Sequence, residues 1–235
     1  MIGFRPRLWP TLITLPAVLL MLGLGAWQLE RLEWKRNLIA ERTAGLAAPV
    51  VPWLSIRDRP ADNVWKRVWV EGEFLHDQEM LLAARSLNGN LGFHVVTPFR
   101  VVGGDVVIVD RGWVPLDRRE PSHRSEGQIP GQIVAAAVVR PGHRAGWFTP
   151  DNHPAEKLWY WLDLPAMATA TGFARETVTD VYLEADATAN PGGFPIGGQT
   201  RVSLPNDHLQ YALTWFALAV ALVVIYIAWH RRPNP

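Results

Sequence analysis

Cysteine occurs nowhere in the 235 residues. That absence removes disulfides, thiolate metal sites, cysteine nucleophiles and thiol-based copper relays. Net charge is nearly missing as well. The 23 Lys and Arg face 22 Asp and Glu, a balance of +1, which offers neither a basic surface for nucleic acid nor an acidic disordered tail. Common enzyme signatures are lacking too: no G-x-S-x-G surrounds a serine, and no Gly-rich loop ends in Lys with Ser or Thr. The seven histidines never fall at the i, i+4 spacing that would set two imidazoles on one helical face. The chain carries no internal repeat and no low-complexity tract.

What the chain has is segregation. Between Arg7 and Glu30 lies LWPTLITLPAVLLMLGLGAWQL, without a formal charge, and Asn206 to Trp229 reads NDHLQYALTWFALAVALVVIYIAW, charged only in its opening triplet. Each run is long enough to cross a hydrocarbon core of ~30 Å at ~1.5 Å per residue. Residues 8–29 and 208–229 are therefore expected to be transmembrane helices, with Pro16 kinking the first without ending it. A cleaved signal peptide is the alternative for the first run. Its apolar stretch exceeds the about 7 to 15 residues of such a segment, and no A-x-A site precedes the charged WQLERLEWKRNLIAER, so an uncleaved anchor is expected.

Arg5 and Arg7 precede the first span, and Arg231 and Arg232 follow the second. By the positive-inside rule residues 1–7 and 230–235 are cytoplasmic, and 30–207 form a domain on the far side. Lys35 and Arg36 run against that rule.

After the first span Trp27, Arg31, Trp34 and Lys35 share a helical face, as an interfacial anchor or as a surface for a partner. Pro49, Pro52 and Pro60 mark residues 47–60 as a linker. Strand signals follow at 67–74, with Gly72 read as a bulge, then at 79–84, 93–99, 106–109, 132–139, 158–162 and 181–184. Residues 164–171 read as a helix and 190–198 as a Gly- and Pro-rich loop. The expected fold is a membrane protein with two transmembrane α-helices flanking an extracytoplasmic α+β domain, built on an antiparallel sheet or open barrel.

Candidate chemistry in that domain is sparse. His94, Asp110, Ser122 and His123 are the residue types of a hydrolytic triad, but nothing sets Ser122 on a nucleophile elbow, and they read as surface or turn residues. His143 and His153 read as loop histidines. At Asp110 to Pro115, DRGWVP, the simplest reading is a strand exit with Arg111 stacked on Trp113 or paired with Asp110. A cation offered to a carboxylate is the other.

His208 opens the second span, with Tyr211, Ala212, Trp215 and Ala219 on its side of the helix. Two readings stay open here. Either it caps the helix near Asn206 and Asp207, or its imidazole ligates a flat, apolar, iron-bearing group above a small-residue groove. His230 lies 22 residues on, about 33 Å along a helix, and cannot share that ligand.

Six stretches occur in one order: LGAWQLERLEWK from Leu24; VEGEF, followed by Arg85 and by GFHVVTPF; VDRGWVP at Val109 to Pro115; FTPDNHPAEKLWYWLDLPAMA at Phe148 to Ala168; and NDHLQYALTWFALA from Asn206. With these the chain resembles the Surfeit locus protein one family, assembly factors of haem-copper cytochrome c oxidase. Asp207 and Asp110 stand where the family often has Asn. The resemblance implies two spans around a periplasmic or intermembrane-space domain, no catalytic activity, and a partner in the oxidase catalytic subunit.

For a bacterial member it implies haem a binding, with His208 as axial ligand in a protein of the inner (plasma) membrane whose termini are both cytoplasmic. Around that ligand the expected site is Tyr211, Trp215, Trp27, Gln28 and Arg31, with Arg85 or Arg111 meeting propionates. Haem a synthase is a further expected partner, membrane lipid surrounds the spans, and no nucleic acid is involved. The competing reading is a cofactor-free membrane scaffold that holds an assembly intermediate.

Overall fold

The computed structural model describes residues 6–143, 145–200 and 204–231. They fall into two compact units, one of residues 1–41 with 202–235 and one of residues 42–201; each is described by itself.

The first unit holds most of α1 (Leu8–Ala47) and all of α3 (His208–His230). Both are long and apolar enough to cross a membrane, and only 6% and 11% of their most apolar windows are buried. A core helix of a soluble protein would be mostly covered, so these surfaces are suited to lipid. Pro16 lies inside α1 without ending it, and the helix runs for 40 residues, ~60 Å at ~1.5 Å per residue. It thus continues unbroken through the amphipathic segment beyond residue 29.

The second unit is a small closed barrel with additions. Its strands are β1 (Val51–Pro52), β2 (Arg67–Phe74), β3 (Met80–Leu87), β4 (Asn90–Val101), β5 (Val106–Pro115), β6 (Ile133–Pro141), β7 (Leu158–Trp159) and β8 (Thr177–Ala185). They run in the order β1-β2-β6-β8-β5-β4-β3-β7, and a further pairing of β2 with β4 closes β2, β6, β8, β5 and β4 into a ring. β4 is twelve residues long and carries β3 along its first half and β2 at Phe99–Val101. All pairs in the ring are antiparallel except β5 with β8.

Alternation separates two cores. Val68, Val70, Phe99, Val101, Val107, Val109, Val139, Val181 and Leu183 point into the barrel. Leu82, Val96, Ile108 and Tyr182, one residue out of phase, form a second core with Trp159, Leu162, Leu164 and Met167 on the outer wall. α2 (Leu164–Ala170) contributes to that cover. It starts where Asp163 accepts a hydrogen bond from the Ala166 N–H at 3.1 Å, with Pro165 in the first turn.

Three expectations change. Gly72 is not a bulge: it pairs in register with both Val101 and Ile133, and a Cβ there would sit 2.1 Å from the Arg100 carbonyl oxygen. Glycine is needed because the closing strands approach so closely. The strand expected at 158–162 keeps only Leu158–Trp159, since the Asn152 side chain accepts the Tyr160 and Trp161 N–H groups at 2.8 and 3.3 Å and bends the chain away. The linker contains β1, parallel to β2.

Arg111 neither stacks on Trp113 nor pairs with Asp110. It is 1% exposed, lies over the Phe74 ring at 4.6 Å, donates to the Gly127 carbonyl and sits 3.9 Å from Glu79. Glu79 in turn grips Arg124 with both carboxylate oxygens and accepts from Gln128 at 3.1 Å. Burial lowers the Arg111 guanidinium to about 10, with Glu79 opposing and Arg124 reinforcing the shift. This network ties the 3₁₀ turns of Leu116–Arg118 and Pro121–Gly127 to the sheet.

His76 completes the network as a neutral ring. Its Nε2 is 2.9 Å from the Ile129 carbonyl, so Nε2–H donates, and its Nδ1 faces Arg111 Nη1 at 3.5 Å as an acceptor. Burial lowers its proton affinity, the Ile129 bond opposes this, and Arg111 adds to it. The unfolded chain protonates His76 at its ordinary pKa while the folded chain resists. Stability is therefore complete above that value and is lost as pH falls through it towards the folded one. The melting temperature is expected to drop between about pH 7 and about pH 5, and His76→Gln to flatten the drop. An unchanged slope in the variant would show that His76 is not the group responsible.

Candidate functional site

Within the first unit α1 and α3 run antiparallel, as their contacts show. Thr11 Oγ1 and Tyr226 OH are 2.5 Å apart near one end, and at the other Lys35 donates to the Pro205 carbonyl. Between them the seam is made of small residues. A Cβ on Gly25 would come within 2.5 Å of the Phe216 ring, and Ala212 and Ala219 are 0% and 2% exposed. Such close backbone approach is what holds helices together in lipid, where hydrophobic burial supplies no driving force. The groove that Ala212 and Ala219 form beneath His208 is therefore filled by α1.

One polar pair stands at the head of this seam: His208 Nδ1 lies 2.6 Å from Gln28 Oε1. The amide oxygen can only accept, so Nδ1 carries the proton and donates. This fixes the tautomer. Nε2 is left as the lone-pair nitrogen of a half-buried residue at the first turn of α3. An imidazole oriented by a hydrogen bond on its far nitrogen is the arrangement that metal-ligating histidines share. Asp207 precedes the helix but makes no side-chain cap bond, so the alternative role of a polar capping cluster gains no hydrogen bond from it.

The other predicted residues are distributed as follows. Trp27 and Tyr211 are 49% and 57% exposed, and Trp215 is half-buried. Arg31 is turned along its own helix, with its guanidinium 4.4 Å over the Trp34 ring. Of the predicted set, His208 and Gln28 are joined by a hydrogen bond; the aromatic residues offer uncovered rings on the same two helices. Lys35 and Phe216 contribute to the helix pair without having been singled out for it, although Lys35 lies on the Trp27–Trp34 face already noted. An open groove of about 550 Å³ runs along Asn206, Gln210, Leu213 and Thr214, on a neighbouring face of α3 that excludes His208.

In the second unit His94 and Asp110 do meet, with Nδ1 to Oδ2 at 2.8 Å. Ser122 and His123 lie in the Pro121–Gly127 turn, where His123 Nδ1 bonds the Asp117 carbonyl. No triad is formed.

Comparison with known proteins decides the family. The model of the SURF1 family matches residues 15–220. The chain belongs to the SURF1 family. It is 35% identical to Surfeit locus protein 1 of Homo sapiens over 235 residues, covering 91% of this chain and 75% of the human protein. A SURF1-like protein of Monosiga brevicollis is 35% identical, covering 96% and 88% of the two chains, and one of Drosophila melanogaster is 38% identical, covering 94% and 76%. Family membership places the chain among cytochrome oxidase assembly factors, the coarse role its motifs implied.

The Gly25 contact gives a direct test of the helix seam. Because the chain has no native cysteine, Thr11→Cys with Tyr226→Cys can be bridged by a short bismaleimide. Adding Gly25→Leu is expected to reduce the bridged yield several-fold, since the side chain would have to displace the Phe216 ring. Undiminished bridging would contradict the close packing at Gly25.

Proposed function

We propose that the protein assists assembly of haem-copper cytochrome c oxidase by binding haem a through His208 and presenting it for insertion into the catalytic subunit. The observation that carries this reading is the Gln28–His208 hydrogen bond: it orients the imidazole and leaves Nε2 as its ligating atom. Haem a, when bound, would supply the iron that accepts this nitrogen. The chain's own residues hold and orient. Trp27, Tyr211 and Trp215 offer aromatic surface to a flat ring, and Arg31 offers a cation to a carboxylate at its edge. The role is non-catalytic. Arg111 takes no part in it, because its guanidinium is committed to Gly127, Glu79 and Phe74.

The setting of this proposal is the inner membrane of a bacterium, with both termini cytoplasmic and the barrel periplasmic. The charge placement at Arg5, Arg7, Arg231 and Arg232 supports it. Partners are the oxidase catalytic subunit, haem a synthase as the source of the group, and surrounding lipid. A second reading, a cofactor-free scaffold gripping an assembly intermediate, draws support from Trp147 and Phe148, adjacent aromatics that are 101% and 99% exposed.

The visible spectrum separates the two. Protein purified from cells that make haem a is expected to carry the pigment, and His208→Ala to lose it or show a changed axial ligand. A colourless wild-type protein, or identical spectra, would leave the scaffold reading standing. Gln28→Leu removes the bond to Nδ1 but not the ligand, so pigment is expected to remain with affinity lowered about 10- to 100-fold. Titration of haem into both proteins measures this.

A further inference from the structure

The outer wall of the barrel carries a cavity of about 380 Å³, lined in part by Arg85. It lies on the face of Leu82, Val96, Ile108 and Tyr182, next to the second core. Two irregularities in the sheet aim polar groups at it. In β5 the register with β4 passes from Val96↔Asp110 to Val95↔Gly112, so Arg111 is one extra residue. Asp110 and Trp113, three apart, consequently face the same way as His94, while Arg111 faces the other. Gly112 makes the step possible, with φ of 117°.

In β3 the register passes from Leu82↔His94 to Arg85↔Gly92, again one residue over, with Ala84 at φ of 55°. Regular alternation would turn Arg85 away from His94's face. The bulge brings it onto that face, at the conformational expense of a non-glycine residue in the left-handed region.

The acceptors on the wall are already satisfied. Asp110 takes the His94 ring N–H with one oxygen and the Gly112 N–H, at 3.0 Å, with the other. Glu184 is paired with Arg140, and Arg140 is further held over the Trp65 ring at 4.2 Å. The donors are not. The Arg85 side chain lines the cavity and makes no hydrogen bond or ion pair among the described residues. Tyr182 is 4% exposed and lines it too, with no hydrogen-bond partner for its hydroxyl among the described residues. Burial raises the Tyr182 phenol's hold on its proton, keeping it a donor. His143 has its proton affinity lowered by burial and then by the charges of Arg140 and Arg85.

We propose that this cavity binds a small monocarboxylate anion, held by the Arg85 guanidinium and the Tyr182 hydroxyl. A planar guanidinium matches a carboxylate's two oxygens. The carboxylates of Asp110 and Glu184 on the same wall select against a dianion such as phosphate. Ser86 lines a separate, neighbouring cavity with Arg85 and His94 and makes no hydrogen bond to His94, so the His94–Asp110 pair serves as a fixed wall. The site is independent of the His208 proposal.

The test is a saturation-transfer NMR titration of sodium propionate into the full-length protein in detergent, with inorganic phosphate as competitor. Wild type is expected to saturate with one propionate and to ignore equimolar phosphate. Arg85→Gln is expected to weaken binding at least about tenfold, the loss of one charge-assisted hydrogen bond, and Tyr182→Phe about threefold or more. Neither side chain bonds another group among the described residues, so both variants should keep the wild-type melting temperature; should Arg85→Gln melt early, Tyr182→Phe decides. His208→Ala is expected to bind propionate as wild type does. No saturable transfer, equal affinity in Arg85→Gln and Tyr182→Phe, or displacement by equimolar phosphate would each overturn the proposal.

Discussion

A single residue inserted into β5 governs how charge is distributed through the barrel. With Arg111 as the extra position, Val107, Val109 and Arg111 turn towards the inner core, and Ile108, Asp110 and Trp113 turn outward. The consequences differ on the two sides. Inward, the guanidinium must find acceptors in a space without water, and it does so through Gly127, Glu79 and the Phe74 face. Outward, Asp110 reaches His94 and fixes its ring. Neighbouring strand residues face opposite ways in any case; the inserted residue is what also brings Trp113 onto the face of Asp110, opposite His94.

This same step explains which features the sequence could and could not reveal. The alternation of Val68 and Val70 and the apolar run from Val106 report burial directly, and β2 was legible to the residue. α2 begins where expected and ends one residue earlier, at Ala170, and the two long apolar helices begin at the expected residues, the first running on to Ala47 and the second to His230. Bulges leave no such trace, because inserting a residue interrupts a period without announcing which side chain lies on which face. Arg111 therefore read as a strand-end cation when it is a buried one, and Arg85 gave no sign that Ala84 would turn it towards His94. Gly72 erred the other way: glycine inside a strand suggested a bulge, when ring closure against Arg100 was the requirement.

At the helix pair the position of His208 was legible from its place before an uncharged run, but its orientation was not. Gln28 lies 180 residues away, and only the antiparallel seam of Gly25, Ala212 and Ala219 brings the two into one hydrogen bond. That seam also shows why the small residues beneath His208 serve packing between helices, leaving any ring-shaped ligand to rely on exposed aromatic faces such as Trp27 and Tyr211.

The place of β8 in the barrel has a consequence for the order of folding. It is the last strand made, yet it lies between β6 and β5 and joins them. Until the ribosome has passed Ala185, both neighbours present unpaired edges, and neither core can close. Contacts of such long sequence separation make folding slow and leave it to follow synthesis of nearly the whole domain. A chain cut short before Thr177 would accordingly be no smaller version of the barrel, but an open sheet with two adhesive edges.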